Sequence, residues 1–261
     1  MIAMTDTIEL FGIKIDRLTM RQTVERLIAW TRTESASCHY VVTPNVDHVL
    51  MYQERADFRA AYEHASLVVA DGAPVVWASR LLGRRLPERV AGSDLTLRLF
   101  DAASAEQPLR VYLLGAAPGI GDRAAANIHA RWKHVHVTGT FSPPFGFERD
   151  EVWNREILDR IAHAAPHVLV LGLGAPKQEL WIARHHRHVQ AHVALCVGAT
   201  IDFLAEHKHR APLWMQRSGL EWAHRVATEP RRLFGRYFRG ACQFPALVVR
   251  QWQHQYGRTA R

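Results

Sequence analysis

The chain has 261 residues, 48% of them apolar and 22% charged, with a formal net charge of +8. That balance suits one large α/β domain, or one domain with an appendage, and excludes a disordered chain. The charge is uneven: residues 207–261 hold eleven Lys/Arg against two acids, Glu221 and Glu229, and residues 1–206 are close to neutral. A cationic end on a neutral body suits an anionic partner met at one end.

The opening "MIAMTDTIELFG" carries acids where a signal peptide needs a basic patch ahead of an apolar core. Within it begins a short strand pair, "IELFGIKIDRL". "TMRQTVERLIAWTR" follows with a capping-box pattern from Thr19 to Gln22 and helical spacing of Val24, Leu27 and Ile28. "CHYVVTP" is a strand, and Asn45 is placed to cap a helix beginning "VDHVLMYQ". "SLVVA" is a strand, "APVVWASRLL" a helix, and "GSDLTLRLFDAAS" a helix capped by Ser93. Alternation continues with strand "LRVYLLG", helix "GIGDRAAANIHARW", strand "HVHVTGT" and helix "RDEVWNREILDRIAHA". Strand "HVLVLGLG", helix "PKQELWIARHH" and strand "HVALCVG" complete the series. Near-continuous Val/Leu runs separated by amphipathic helices predict a Rossmann-like α/β fold, its mainly parallel sheet covered by helices on both faces.

After Asp202 the pattern changes to helical, aromatic and basic segments without strands, the second opening at Pro230. A boundary near residues 203–212 divides a Rossmann-like domain, 1–206, from a helical basic C-terminal appendage, 207–261. Apolar runs such as "FPALVV" are too short to cross a bilayer. Phe234, Tyr237, Phe238 and Ala241 recur at helical spacing among Arg232, Arg236 and Arg239. Such a helix suits an anionic lipid interface, or packing on its own domain or on a partner subunit, and self-association stays open. No nucleic-acid-binding module is recognisable. Cys38, Cys196 and Cys242 form no CxxC pair and read as buried hydrophobes or incidental thiols of a reducing cytosol.

In open parallel sheets ligands bind outside the carboxyl ends of the strands, so the residues after each strand outline the candidate site. They include Thr43, Pro44 and Asn45, then Asp71 and Gly72. Gly115 opens "GAAPGIGDR", a glycine-rich turn suited either to phosphate or to tight packing. Its GxxxGxG spacing is a poor dinucleotide fingerprint, and no GxxxxGK[ST] occurs. Gly172 and Gly174 precede "APKQE", where Lys177 can meet a phosphate and Gln178 a sugar or base edge. The alternative is an ordinary helix start with Lys177 and Glu179 facing solvent. Asp71 has three readings: helix cap, metal ligand or general base. No DxD motif supports the metal, and "RHHRH" lacks a zinc ligand pattern, so neither a metal nor another cofactor is expected.

Taken in order, "TPN", "ADG", "RVAGSDL", "GLGAPKQE", "RAPLWMQRSGLEW" and "EPRR" resemble the WecG/TagA/CpsF family of bacterial glycosyltransferases (glycosyltransferase family 26), from about residue 10 to about residue 236. The resemblance implies an inverting transfer of a hexose or N-acetylhexosamine (or its uronate) from a UDP-sugar to a polyprenyl-diphosphate-linked sugar. The enzyme would be cytoplasmic and peripheral at the inner membrane face, in cell-surface polysaccharide or exopolysaccharide synthesis. It implies Asp71 as the base, with Thr43, Asn45, Arg89 and Gln178 in the pocket. It further implies that the appendage closes over the site and reaches the membrane through Arg210, Arg217, Arg225, Arg231 and Arg232. One departure is marked: where the family has a small residue or glycine in "DFLAG", this chain reads "DFLAE", ending at Glu206. The loop "GTFSPPFGFERDE" is rich in proline and aromatics and is left without a role. A nucleotide-dependent oxidoreductase and a non-enzymatic basic membrane- or nucleic-acid-binding module stand as alternatives.

Overall fold

In the computed structural model, which describes residues 6–33, 36–212, 214–215 and 220–256, the apolar runs form one parallel sheet. A hairpin, β1 (Thr7–Leu10) and β2 (Ile13–Asp16), precedes it as a separate antiparallel pair. The sheet strands are β3 (His39–Val42), β4 (Leu67–Val68), β5 (Leu109–Gly115), β6 (Val135–Phe141), β7 (Val168–Gly172) and β8 (Val193–Cys196). Their order is β4-β3-β8-β7-β5-β6, every pairing parallel.

Strand side chains alternate between faces, which is why the central strands read as unbroken apolar runs. Tyr40, Val42, Leu169, Leu171, Ala194 and Cys196 enter one core. Val41, Val168, Val170, Val193 and Leu195 enter the other. The second face is covered by α1 (Met20–Trp30), α5 (Gly92–Asp101), α6 (Ile120–Arg131) and the short α9 (Thr200–Leu204). The first is covered by α2 (Val46–Glu54), α3 (Ala56–Glu63), α4 (Ala73–Leu81), α7 (Glu151–Ala164) and α8 (Lys177–His185).

Local chemistry sets most of the boundaries. The Thr19–Gln22 capping box forms, and Asn45 Oδ1 accepts the N–H groups of Asp47 and His48 at 3.0 and 3.2 Å. The Ser93 cap does not form. The Leu95 N–H reaches the Ala91 carbonyl at 2.8 Å, so the cap of α5 is Ala91, two residues earlier, with Ser93 inside the helix. The run "SLVVA" is a strand only at Leu67–Val68; the Val69 N–H still bonds the Val42 carbonyl of β3 at 3.1 Å, and the Ala70 carbonyl accepts from Val90 at 2.8 Å. Helix α3, in a stretch to which the sequence pattern assigns no element, buries Phe58, Ala61 and Tyr62.

The appendage comprises α10 (Glu221–Thr228) and α11 (Pro230–Tyr256). The first of the helical segments predicted after Asp202 is therefore seen from Glu221 onward, with Trp214 and Met215 also helical. Helix α11 docks on the hairpin and α2. Phe244 packs 5.2 Å from the Phe11 ring, and the Phe11 N–H donates to Gln251 Oε1 at 2.9 Å. Arg236 pairs with Asp47 at 3.1 Å, and Arg239 pairs with Glu54. Tyr237, expected on the same face as Phe234 and Phe238, is instead half-buried, its ring tilted at 6.1 Å from Trp222. The outward face carries Phe234, Phe238, Val249 and Trp252, while the Tyr256 hydroxyl turns back to donate to the Leu82 carbonyl at 3.3 Å. No helix among the described residues is long and apolar enough to cross a membrane.

Ahead of the appendage, α9 ends with Glu206 at φ 53°. The His207 N–H returns to the Asp202 carbonyl at 2.9 Å. This is the left-handed residue that closes a helix, the position where glycine is the usual choice.

Candidate active site

The open carboxyl edge of β4, β3 and β8 gathers one group of candidate residues. The Asp71 and Gly72 N–H groups both point at the Pro44 carbonyl, at 3.0 and 3.5 Å, so the loop after β4 lies against the loop after β3. The contact is tight: a Cβ at Gly72 would stand 3.2 Å from Asn45 Cα. Thr43 is buried and donates through Oγ1 to the Cys196 carbonyl of β8 at 3.3 Å. The Gly92 N–H, at the first turn of α5, donates to Asp71 Oδ2 at 3.5 Å. Here too only glycine fits, since a Cβ would meet Val197 Cγ1 at 2.9 Å and Thr43 Oγ1 at 3.3 Å. Thr43, Asn45, Asp71 and Gly92 thus form one cluster. Asp71 is half-buried within it. It does not cap α4, whose N-cap is Gly72 without a side-chain bond.

A cationic pair stands beside this cluster. Arg89, just ahead of Val90, whose N–H bonds Ala70 at 2.8 Å, pairs with Asp94 at 3.4 Å. Arg210, near the start of the appendage, pairs with the other oxygen of the same carboxylate at 2.7 Å. Arg89 also holds Glu221, the first residue of α10, at 3.2 Å. These links tie the appendage to the body at the crevice. Arg210 keeps Nε and Nη2 buried with no hydrogen-bond partner. Two unmet donors of a charged guanidinium are costly unless an anion completes them.

Lys177 goes elsewhere. It pairs with Glu148 at 3.4 Å and lies 5.1 Å from the Phe145 ring, facing a cavity of about 410 Å³ shared with Arg55, Arg149 and Arg184. The proline-rich loop therefore packs against Lys177. Arg231 is exposed on α11, Arg217 lies outside the described residues, and so do the side chains of Arg225 and Arg232.

The glycines divide by role. Gly115 and Gly172 are close-contact positions, the first against backbone and the second against a side chain. A Cβ on Gly115 would stand 2.6 Å from the Gly172 carbonyl carbon, and one on Gly172 would stand 2.7 Å from Ile201 Cδ1. A Cβ at Gly174 or Gly198 would meet nothing within 4 Å, so both face open space.

Beneath the crevice lies a polar network that sequence patterning missed. Gln178 is 3% exposed. Its Oε1 accepts the Gly174 N–H at 3.2 Å and the Gly198 N–H at 3.1 Å, and its Nε2 donates to Glu179 Oε1 at 2.7 Å. Glu179 is wholly buried, with Oε2 unpartnered, so it does not face solvent as an ordinary helix start would have it. Burial raises its carboxyl to about 7, even against the lowering bond from Gln178. His48 Nε2 is 3.9 Å from Glu179 Oε1, and its Nδ1 shares a hydrogen bond of 2.7 Å with Tyr62. Burial, with the nearby Arg236 charge, lowers His48 to about 3, so it is neutral. The one sequence cue was spacing: His48 falls one helical turn after the Asn45 cap, on the face that packs inward. Among the described residues no group of three or more His, Cys, Asp or Glu is arranged to hold a metal ion.

The chain is similar to proteins of known activity along most of its length. The N-acetylglucosaminyldiphosphoundecaprenol N-acetyl-beta-D-mannosaminyltransferase of Staphylococcus aureus strain MRSA252 is 28% identical over 229 residues, 88% of this chain and 87% of that one. The proteins of the same description from strains NCTC 8325 / PS 47 and COL are 27% identical with the same coverage. The family model of the glycosyl transferase WecG/TagA/CpsF family matches residues 8–258, which spans the sheet, the Asp71 cluster and the appendage alike. This chain belongs to the WecG/TagA/CpsF family of glycosyl transferases.

Proposed function

We propose that this chain is an inverting glycosyltransferase that moves a sugar from a UDP-linked donor onto a polyprenyl-diphosphate-linked N-acetylglucosamine at the inner face of the membrane. The observation that carries the reading is the convergence of Asp71, Thr43, Asn45 and Gly92 beside the Arg89–Asp94–Arg210 cluster. In an inverting displacement the acceptor oxygen attacks the anomeric carbon from the face opposite the nucleotide, so the base and the leaving-group cations belong on opposite sides of the sugar. Asp71 takes the acceptor hydroxyl proton as the C–O bond forms, work worth about two to four orders of magnitude. The Gly92 N–H, bonded to Asp71 Oδ2, holds the carboxylate in place. Thr43 ties the end of β3 to β8, and Asn45 lies against Gly72 in the loop after β4.

The departing UDP gains negative charge as its bond to the sugar breaks, and fixed donors stabilise it most in a site closed to water. Arg210, with Nε and Nη2 unmet, and Arg89 are the groups assigned to diphosphate. Cations carried by the protein do this work in our reading, and no metal is part of it. The relatives' descriptions name an undecaprenyl-diphosphate N-acetylglucosamine and an N-acetylmannosaminyl group, which makes UDP-N-acetylmannosamine the first donor to try. The exposed aromatic face of α11, with the exposed Arg231 beside it, is the assigned membrane contact.

The test is D71N assayed with that donor and a short-chain polyprenyl-diphosphate N-acetylglucosamine. Transfer is expected to fall at least about 100-fold with UDP affinity unchanged. Near wild-type turnover would remove the base assignment. Insensitivity of the wild-type rate to EDTA is the accompanying expectation.

A further inference from the structure

We infer that Glu179 is the positioning residue of the crevice: it orients the Gln178 amide so that a single oxygen ties the loop after β7 to the loop after β8. Gly174 and Gly198 belong to different loops, have φ of 78° and 54°, and face open space on the crevice side. Their N–H groups nonetheless converge on one atom, Gln178 Oε1, at 3.2 and 3.1 Å. A primary amide has two acceptor lone pairs and two N–H donors. Both lone pairs are committed to the loops, and one N–H is committed to Glu179 Oε1 at 2.7 Å.

Turned over, the same amide would set its NH2 against two backbone donors and its oxygen against a carboxyl oxygen. Glu179 opposes that orientation from behind the amide, as the two loop N–H groups do from in front. Its Oε1 accepts whether the group is ionised or carries a proton on the unpartnered Oε2, so the clamp needs an acceptor and not a charge. A fully buried carboxyl with an orphan oxygen is otherwise destabilising, and its place directly behind the amide gives it this role. With the amide fixed, the two loops keep one spacing, and the remaining Gln178 N–H is the single donor left for a ligand. The consequence for donor binding rests on the reading above, in which these loops border the UDP-sugar. The clamp itself does not.

Amide hydrogen exchange on the full chain, covering residues 172–176 and 197–199, separates the two. In E179M, protection is expected to fall about tenfold in both loops together. Q178M should match it, and the double variant should be no worse than either single one. E179Q, which keeps an acceptor of the same shape, should protect both loops as wild type does. Unchanged protection in E179M, loosening of only one loop, or loss of protection in E179Q would each overturn the clamp. E179Q decides the point even if E179M does not fold. UDP affinity is then measured on the same proteins. A loss in E179M restored in E179Q supports the clamp acting on donor binding. Loosened loops with unchanged UDP affinity would leave the clamp standing and show that these loops do not hold the nucleotide.

Discussion

Replacing Glu179 by glutamine isolates what its buried charge does to stability. The carboxyl has an ordinary value of 4.5 and is raised to about 7 by burial. Below 4.5 it is protonated in both folded and unfolded chains, and no penalty arises. Between 4.5 and 7 the unfolded chain loses the proton while the folded chain retains it, so stability falls as pH rises, and above 7 the penalty is complete. At 1.36 kcal/mol per unit the interval amounts to about 3 kcal/mol. His48 works in the opposite sense. Its folded value of about 3 lies below the ordinary 6.5, so its contribution is present above 6.5 and lost as pH falls toward 3. The two slopes oppose each other between 4.5 and 6.5, and the wild type should be nearly flat there. E179Q removes one of them. Its unfolding free energy relative to wild type is expected to rise by about 3 kcal/mol from pH 4.5 to pH 8. The assay is urea unfolding at a series of pH values, read as the difference between the two proteins so that His48 cancels. A difference that does not change with pH would mean that Glu179 ionises freely in the folded state, and the buried-carboxyl argument would be wrong.

Three further outcomes follow from the same geometry. Phe234 and Phe238 are each 62% exposed, leaving about 100 Å² of ring per residue, or about 2–3 kcal/mol each at ~25 cal/mol/Å². F234S/F238S should therefore lower co-sedimentation with phosphatidylglycerol vesicles by at least about 100-fold, and unchanged sedimentation would refute the membrane role of that face. R210A should reduce kcat/KM for the donor by about 10–100-fold, since a charge-assisted bond to phosphate is lost. Its Tm should stay close to wild type because Arg89 still holds Asp94, and an unaffected kcat/KM would show that the unmet Arg210 donors do not face the diphosphate. E206G should raise the stability by about 1 kcal/mol, some 2–4 °C in Tm, by relieving a left-handed non-glycine residue. A lowered Tm would show that the Glu206 side chain contributes more than its backbone strain costs.

How far the site could be read in the sequence depended on how local its causes are. Asn45 and Thr19 bond to N–H groups two or three residues away, so their caps were visible in the spacing alone. Ser93 looked equally good as a cap. It lost that place because the Gly92 N–H is drawn across to Asp71, a partner 21 residues away in the chain. Position 206 marked a departure from the family pattern, but only the backbone showed that glutamate adopts the left-handed conformation regardless.

By itself the sequence determined the parallel sheet, the order of its elements, the loops that gather at its carboxyl edge and the family. These follow from strand and helix periodicity, and from motifs kept in order along one chain. Tertiary structure alone decided which loop residues meet. It joined Arg89 and Arg210, 121 positions apart, on one carboxylate, and turned Lys177 toward Glu148. It also buried Glu179 against His48 and set Tyr237 against Trp222 of the preceding helix. Each of these depends on which strands lie side by side and on what packs above them, and a one-dimensional period carries no information about a neighbour brought in from the far end of the chain.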